Sequence, residues 1–214
     1  MDPWPTARSY DAALARFSRE RTAWKASEHY RQFMSALSSI AMPPGITNIV
    51  AFACSSMDWA KEERLASDAQ HALLLALRDF LLSEKYSEMA CFAQDPNYTD
   101  TDRKILRSLD VGVLDDPRAF LQVDDGSVVV SIAPNIPVRQ IITDIARPAI
   151  LLWDRVCEEN WHEALLADAV SPRVAAMIRD DYIEVPIPED REYFNNMALY
   201  IRKPKQAASI SLGT

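Results

Sequence analysis

Four short clusters carry the side chains best suited to chemistry: Cys54, Ser55 and Ser56; Gln94, Asp95, Asn97 and Tyr98; Asn135; and Trp153 with Asp154. Each follows an apolar run. An acid that ends such a run can accept ligand hydroxyls, as it does at the second strand of dinucleotide-binding sheets. Asp95 is therefore a candidate acceptor, Ser55 and Ser56 are candidate donors, and Asn135 and Tyr98 can complete a polar wall. Asp95 or Asp154 can also serve as general acid or base where burial raises a carboxyl pKa. Each cluster also has a plain structural role. Asp95-Pro96-Asn97 is ordinary turn chemistry, in which an aspartate bonds the backbone that follows it. The run Tyr98 to Asp102 supplies capping oxygens and first-turn acids for a helix. Acids adjacent in sequence do not make a metal site, whose ligands converge from several elements, so no metal is expected.

The remaining reactive residues point to interior roles. The three cysteines, Cys54, Cys91 and Cys157, form no CxxC pair, which argues against a disulfide framework or a zinc knuckle. Cys54 has no cation close in sequence to draw it toward thiolate. Of the histidines His29, His71 and His162, His71 lies in an apolar helical stretch and is expected as a satisfied interior residue. Haem ligation would call on His71, Cys54 or Tyr98, and the chain has no CxxCH. Glycines occur only at 45, 112, 126 and 213. None lies in Ala53-Cys54-Ser55-Ser56, the turn where backbone would approach a cofactor's pyrophosphate or carboxylate and where positive φ is favoured by glycine. An NAD or S-adenosylmethionine site is therefore not expected.

The elements that would position these clusters alternate in type. "ITNIVAFACSS" reads as a buried strand and "SDAQHALLLALRDFLLSEK" as a helix apolar on nearly every side, with Ser67 and Gln70 spaced as a capping box. The strand "EMACFAQD", a helix from about Thr101 to Leu109, the short strand "VGVLD", a short helix after Pro117 and the strand "SVVVSIAP" follow. Then come the helix "PVRQIITDIA", with Pro137 at its first position, and the strand "AILLWDRV". Five β-α units in series predict a mostly parallel sheet with helices on both faces, a Rossmann-like three-layer α/β sandwich. Ligands bind such sheets outside the carboxyl ends of the strands, where strand order reverses, which is where the four clusters fall. "EENWHEALLADAV" and "SPRVAAMIRDDY" read as helices, and "YIEVPIP" with "FNNMALYIRKP" as an antiparallel strand pair.

Residues 1–44 form a helical extension, 45–204 the α/β domain and 205–214 a flexible tail. The extension carries Trp4, Tyr10, Phe17 and Trp24, which either pack a helical layer on the sheet or lid the crevice. A net charge of −8 and a pI near 4.9 exclude a phosphate-backbone partner, and no run approaches the length of a membrane span. The expected location is the cytosol or the nucleus.

The segments "ITNIVAFACSS", "QHALLLALRDFL", "CFAQDPNYTDTDRKILRSLDVGVLDD" and "SVVVSIAPNIPVRQIITDI" resemble the SRR1-like domain, a family of plants, fungi and animals. The resemblance runs from about Ile46 to Val156. Its most specific part is the strand ending in Asp95-Pro96 with an aromatic residue and an acid-rich helix start behind it, and fungal members are similar to "PNIPVRQIITDIARPA" in particular. Members commonly carry a Gly-Leu-Gly-Ser-like turn where this chain has Ala53-Cys54-Ser55-Ser56, and many carry Pro-His-Cys where it has Pro134-Asn135-Ile136. The resemblance implies regulatory roles, in circadian and red-light signalling in plants and haem-related regulation elsewhere, without a settled catalytic activity. The expected function is thus a regulatory α/β protein that binds a small molecule or a protein partner. The alternative is a cofactor-independent enzyme of small-molecule metabolism, lyase-, isomerase- or transferase-like, working in the same crevice.

Overall fold

The central strands are apolar on both faces because helices cover both. In the computed structural model, which describes residues 9–58, 65–84, 86, 89–157, 167–190, 193–194 and 196–204, β1 (Asn48–Phe52), β2 (Ala90–Gln94), β3 (Gly112–Val113), β4 (Ser127–Ser131) and β5 (Ile150–Asp154) run parallel. The chain closes with β6 (Tyr182–Val185) and β7 (Met197–Arg202), an antiparallel pair. The sheet order is β3-β2-β1-β4-β5-β7-β6, with β7 antiparallel to β5. The expected Rossmann-like α/β architecture is therefore the observed one.

Alternate residues of each strand feed two cores. Ile49, Ala51, Val128, Val130 and Leu152 face α1 (Tyr10–Lys25), α2 (Glu28–Ser38), α3 (Leu65–Ser83) and α4 (Asp100–Ser108). Val50, Phe52, Val129, Leu151 and Trp153 face α5 (Val138–Ile145), α6 (Pro172–Asp181) and a 3-10 turn (Phe120–Gln122). This is the period of two that a strand imposes. α3 lies between the sheet and α1, which is why it is apolar nearly all round.

Of the N-terminal aromatics, Phe17 and Trp24 are buried in the helical layer. Phe17 is buried with its ring edge-on to His71, and Trp24 packs against Tyr30 and Phe194. Full burial of Phe17, Phe33 and Leu37 stabilises by roughly 2 kcal/mol each. A buried ion pair between Arg16 of α1 and Asp68 of α3 fixes the helix register, and the same guanidinium donates to the Met57 carbonyl. Trp4 lies outside the described residues.

Local chemistry sets the helix ends. Thr99 and Asp102 form a capping box at α4, and Ser171 with Pro172 starts α6 as expected. Three expectations shift. α3 begins at Leu65, so Ser67 lies inside it and its hydroxyl donates to the Ser55 carbonyl instead of capping. Pro137 is the residue before α5, and the segment after Pro117 makes only a 3-10 turn. Most of "EENWHEALLADAV", His162 within it and the tail 205–214 lie outside the described residues. No described helix is long and apolar enough to cross a membrane.

Candidate functional site

β1 leads into α3 on one face and its neighbour β4 leads into α5 on the other, so strand order reverses between them. A cavity of about 500 Å³ opens there. Phe52, Ala53 and Ser55 line it from the end of β1, Gln94 and Asp95 from β2, and Ala133, Asn135 and Ile136 from the loop after β4. Ser67 and Gln70 of α3 close one side.

The turn after β1 corrects one expectation. Ala53 and Ser55 both adopt left-handed backbone, with φ of 61° and 60°. Such a conformation costs a non-glycine residue about 1–2 kcal/mol and persists where the surroundings over-determine it. Three bonds do so here. The Ala53 N–H donates to the Gln94 carbonyl (3.3 Å), the Ser55 N–H to Asp95 Oδ2 (2.8 Å), and the Ser67 hydroxyl to the Ser55 carbonyl (3.1 Å). Ala133, with φ of 47°, is a third left-handed residue on the same cavity, held by an N–H bond to Asp154 Oδ2 (3.0 Å).

Asp95 takes its expected turn role and also lines the cavity. Oδ1 accepts from the Asn97 N–H (2.8 Å), the aspartate turn, and Oδ2 ties the β1 turn. Each carboxylate oxygen has a second acceptor position, so the group braces two loops and still presents acceptor capacity to the cavity it lines.

Ser55, Asp95 and Asn135 thus meet, whereas Ser56, Tyr98 and Asp154 do not join them on the cavity wall. Ser56 follows a left-handed residue and points inward, donating to Asp102 Oδ2 at 2.6 Å. Asp102 also accepts from the N–H groups of Met57 and Thr99, which leaves it fully buried yet satisfied. Tyr98 enters the space between α4 and α3, where its hydroxyl bonds His71 Nε2 (2.9 Å). Asp154 supports the β4 loop from behind through Ala133, and Trp153 beside it is fully buried.

The candidate haem ligands do not fit that role. His71 is buried with Nδ1 donating to the Ser67 carbonyl (2.7 Å), so Nε2 accepts from Tyr98 and neither nitrogen faces the cavity. Burial lowers its pKa, with the Ser67 bond and nearby carboxylates opposing. Burial and then the Asp95 charge push the Cys54 thiol well up, and burial does the same to Tyr98. Cys54 is therefore an inert thiol. Anionic cofactor groups fit no better: Asp95 and Asp116 line the cavity, and its described lining contains no Lys or Arg. The pyrophosphate of NAD and the carboxylate of S-adenosylmethionine find no counter-charge among those residues.

Gln94, placed at a strand end by the sequence, and Ser67 and Gln70 of α3 do more here than their sequence positions indicated. Gln94, buried at the end of β2, donates from Nε2 to Asp116 Oδ1 (2.9 Å) and accepts at Oε1 from the Ala119 N–H (2.9 Å), which clamps the loop carrying Asp116 to the sheet. Ser67 and Gln70 were read as a cap. Their i, i+3 spacing, on a helix that follows the β1 turn, also places both on one face, and here that face is the cavity's.

A family model described as the SRR1 domain matches residues 33–201, from within α2 to within β7, and so spans the whole cavity. None of the curated proteins matches the chain. Among solved structures it is similar to the N-methyltransferase NodS from Bradyrhizobium japonicum WM9, with 13% identity and a TM-score of 0.37 over 89% of this chain and 98% of that one.

Proposed function

The chain belongs to the SRR1 domain family, and on that premise we propose that it is a regulatory protein that binds a small molecule in the crevice at the ends of β1, β2 and β4. The observation that supports this reading is the convergence of Ser55, Asp95 and Asn135 on one cavity at the strand-order reversal. Its wall joins polar groups to Phe52, Ile132 and Ile136, the mix that small-molecule sites use for affinity and orientation. Asp95 and Asp116 both line the crevice, and their carboxylates favour a neutral or cationic ligand that carries hydroxyl or amine donors. Unpaired thiols at Cys54, Cys91 and Cys157 suit a reducing compartment, the cytosol or the nucleus.

The enzyme alternative, with Asp95 or Asp154 as acid or base, has less support. Both Asp95 oxygens accept backbone N–H groups of two loops, so protonating either oxygen would weaken the bond it holds. Asp154 is outside the cavity wall. A fixed acceptor suits binding better than proton transfer.

Calorimetric titration with adenosine, a neutral hydroxyl-bearing probe, and with its anionic 5′-monophosphate tests the reading. Adenosine binds at one site and the monophosphate at least ten times more weakly. Asn135→Leu, at an exposed position on the rim, weakens adenosine about fivefold, the loss of one hydrogen bond of about 1 kcal/mol. Tighter binding of the monophosphate, or equal affinity in the variant, would overturn it.

A further inference from the structure

We infer that the crevice continues into a second compartment, an apolar groove between the 3-10 turn and α5, and that the two form one bipartite site for a ligand with a hydroxyl- or amine-bearing head and an uncharged apolar arm. The inference rests on the binding role proposed for the crevice and adds the chemistry of the rest of the ligand.

The groove, open to solvent, has a volume of about 680 Å³ and is walled by Phe120, Leu121, Ile141 and Ile145, with Asp116 the one charged residue of its described lining. Five large apolar side chains are exposed among the described residues, and three of them stand here: Leu121 at 77%, Ile145 at 49% and Ile136 at 41%. Single exposed apolar residues are ordinary, but a contiguous set beside a cavity marks an interaction site.

Continuity with the crevice decides the occupant. Asp116 and Ile136 line both compartments. Phe52, on the crevice wall, stacks on Phe120, on the groove wall, with centroids 4.5 Å apart and planes 24° apart. The loop that carries Asp116 and Phe120 is clamped by Gln94, so the junction is built into the fold. A molecule seated against Asp95 can therefore pass Asp116 and lay an apolar portion on Leu121 and Ile145. That portion is uncharged, because the described groove lining offers no Lys, Arg or His to an anion and only the junctional Asp116 to a cation. A protein segment would need the groove alone, whereas a small amphipathic molecule uses both halves.

Fluorescence titration with N-phenyl-1-naphthylamine, an uncharged apolar dye, tests this on the full chain. One dye binds per chain. The double variant Leu121→Glu/Ile145→Glu, at two exposed positions, weakens the dye at least tenfold with an unchanged far-ultraviolet circular dichroism spectrum, and leaves adenosine binding unaltered. Ile136→Trp, on the shared wall, weakens both probes at least fivefold. Dye binding that ignores the double variant, or an Ile136→Trp variant that affects neither probe, overturns the inference. So does a wild-type dimer in sedimentation that the double variant converts to monomer, because a second copy then covers the groove. If adenosine fails to bind the wild type while both variants weaken the dye as stated, the crevice reading is lost and the bipartite site with it, and the apolar groove alone stands.

Discussion

Replacing Ala53 by glycine is expected to leave stability unchanged or raise it, although the same replacement two residues earlier is costly. At φ of 61° the Ala53 side chain strains the backbone, and glycine relieves about 1–2 kcal/mol of that strain. Against this stands the greater freedom glycine gives the unfolded chain, about 0.5–1 kcal/mol. The net change lies between zero and a gain of roughly 1.5 kcal/mol. Ala51, fully buried in β1, supplies the control. There the change removes a packed methyl, about 0.8 kcal/mol, and adds the same glycine penalty, for a loss of roughly 1.5 kcal/mol. Ser55→Gly should behave like Ala53→Gly, because its bond to Asp95 comes from the backbone N–H. Equilibrium urea denaturation followed by circular dichroism, at constant m-value, measures all three. If Ala53→Gly loses as much stability as Ala51→Gly, the turn is not left-handed and the account of the crevice floor fails.

Three further outcomes are expected. Tyr98→Phe leaves the buried His71 Nε2 without its donor and destabilises by about 1–2 kcal/mol in the same assay, without changing adenosine affinity. Gln94→Leu strips the buried Ala119 N–H of its acceptor and frees Asp116, which costs about 2 kcal/mol and weakens both adenosine and the dye. The pH dependence of stability carries the signature of His71. Burial holds its folded pKa below the ordinary 6.5, so the unfolded chain binds more protons and stability falls as pH drops below 6.5. Asp168 works in the opposite sense: burial, opposed by Arg139, raises its pKa from 3.8 to about 6, so the native state gains relative stability as pH falls through that window. A His71→Gln variant therefore shows a shallower loss than wild type between pH 6.5 and about 5, and identical slopes would contradict a neutral buried imidazole.

The layered fold was legible because its strands and helices disagree with solvent in recognisable ways. "IVAF" and "VVV" are short β-branched-rich runs apolar at consecutive positions, as in a strand covered on both faces, and α3 is apolar nearly all round because α1 lies over it. The terminal pair was legible as two strands. The insertion of β7 between β5 and β6 was not, because it depends on which edge the returning chain meets. The strand-end rule named Ser55, Asp95 and Asn135, and all three line one cavity. The rule could not separate Ser55 from Ser56, where a left-handed residue turns one toward the cavity and the next toward Asp102. Nor did residue type reveal the left-handed turn, since alanine and serine take it only under three tertiary bonds.

That turn also bears on what fits. At Ala53 and Ser55 a methyl and a hydroxymethyl stand on backbone that glycine would leave bare, both on the crevice wall. A guest meets those groups before it can touch the peptide behind them. On the binding role proposed for the crevice, the two small side chains act as spacers: they hold an occupant one carbon's thickness away from the main chain, and trimming either one to hydrogen should admit bulkier molecules.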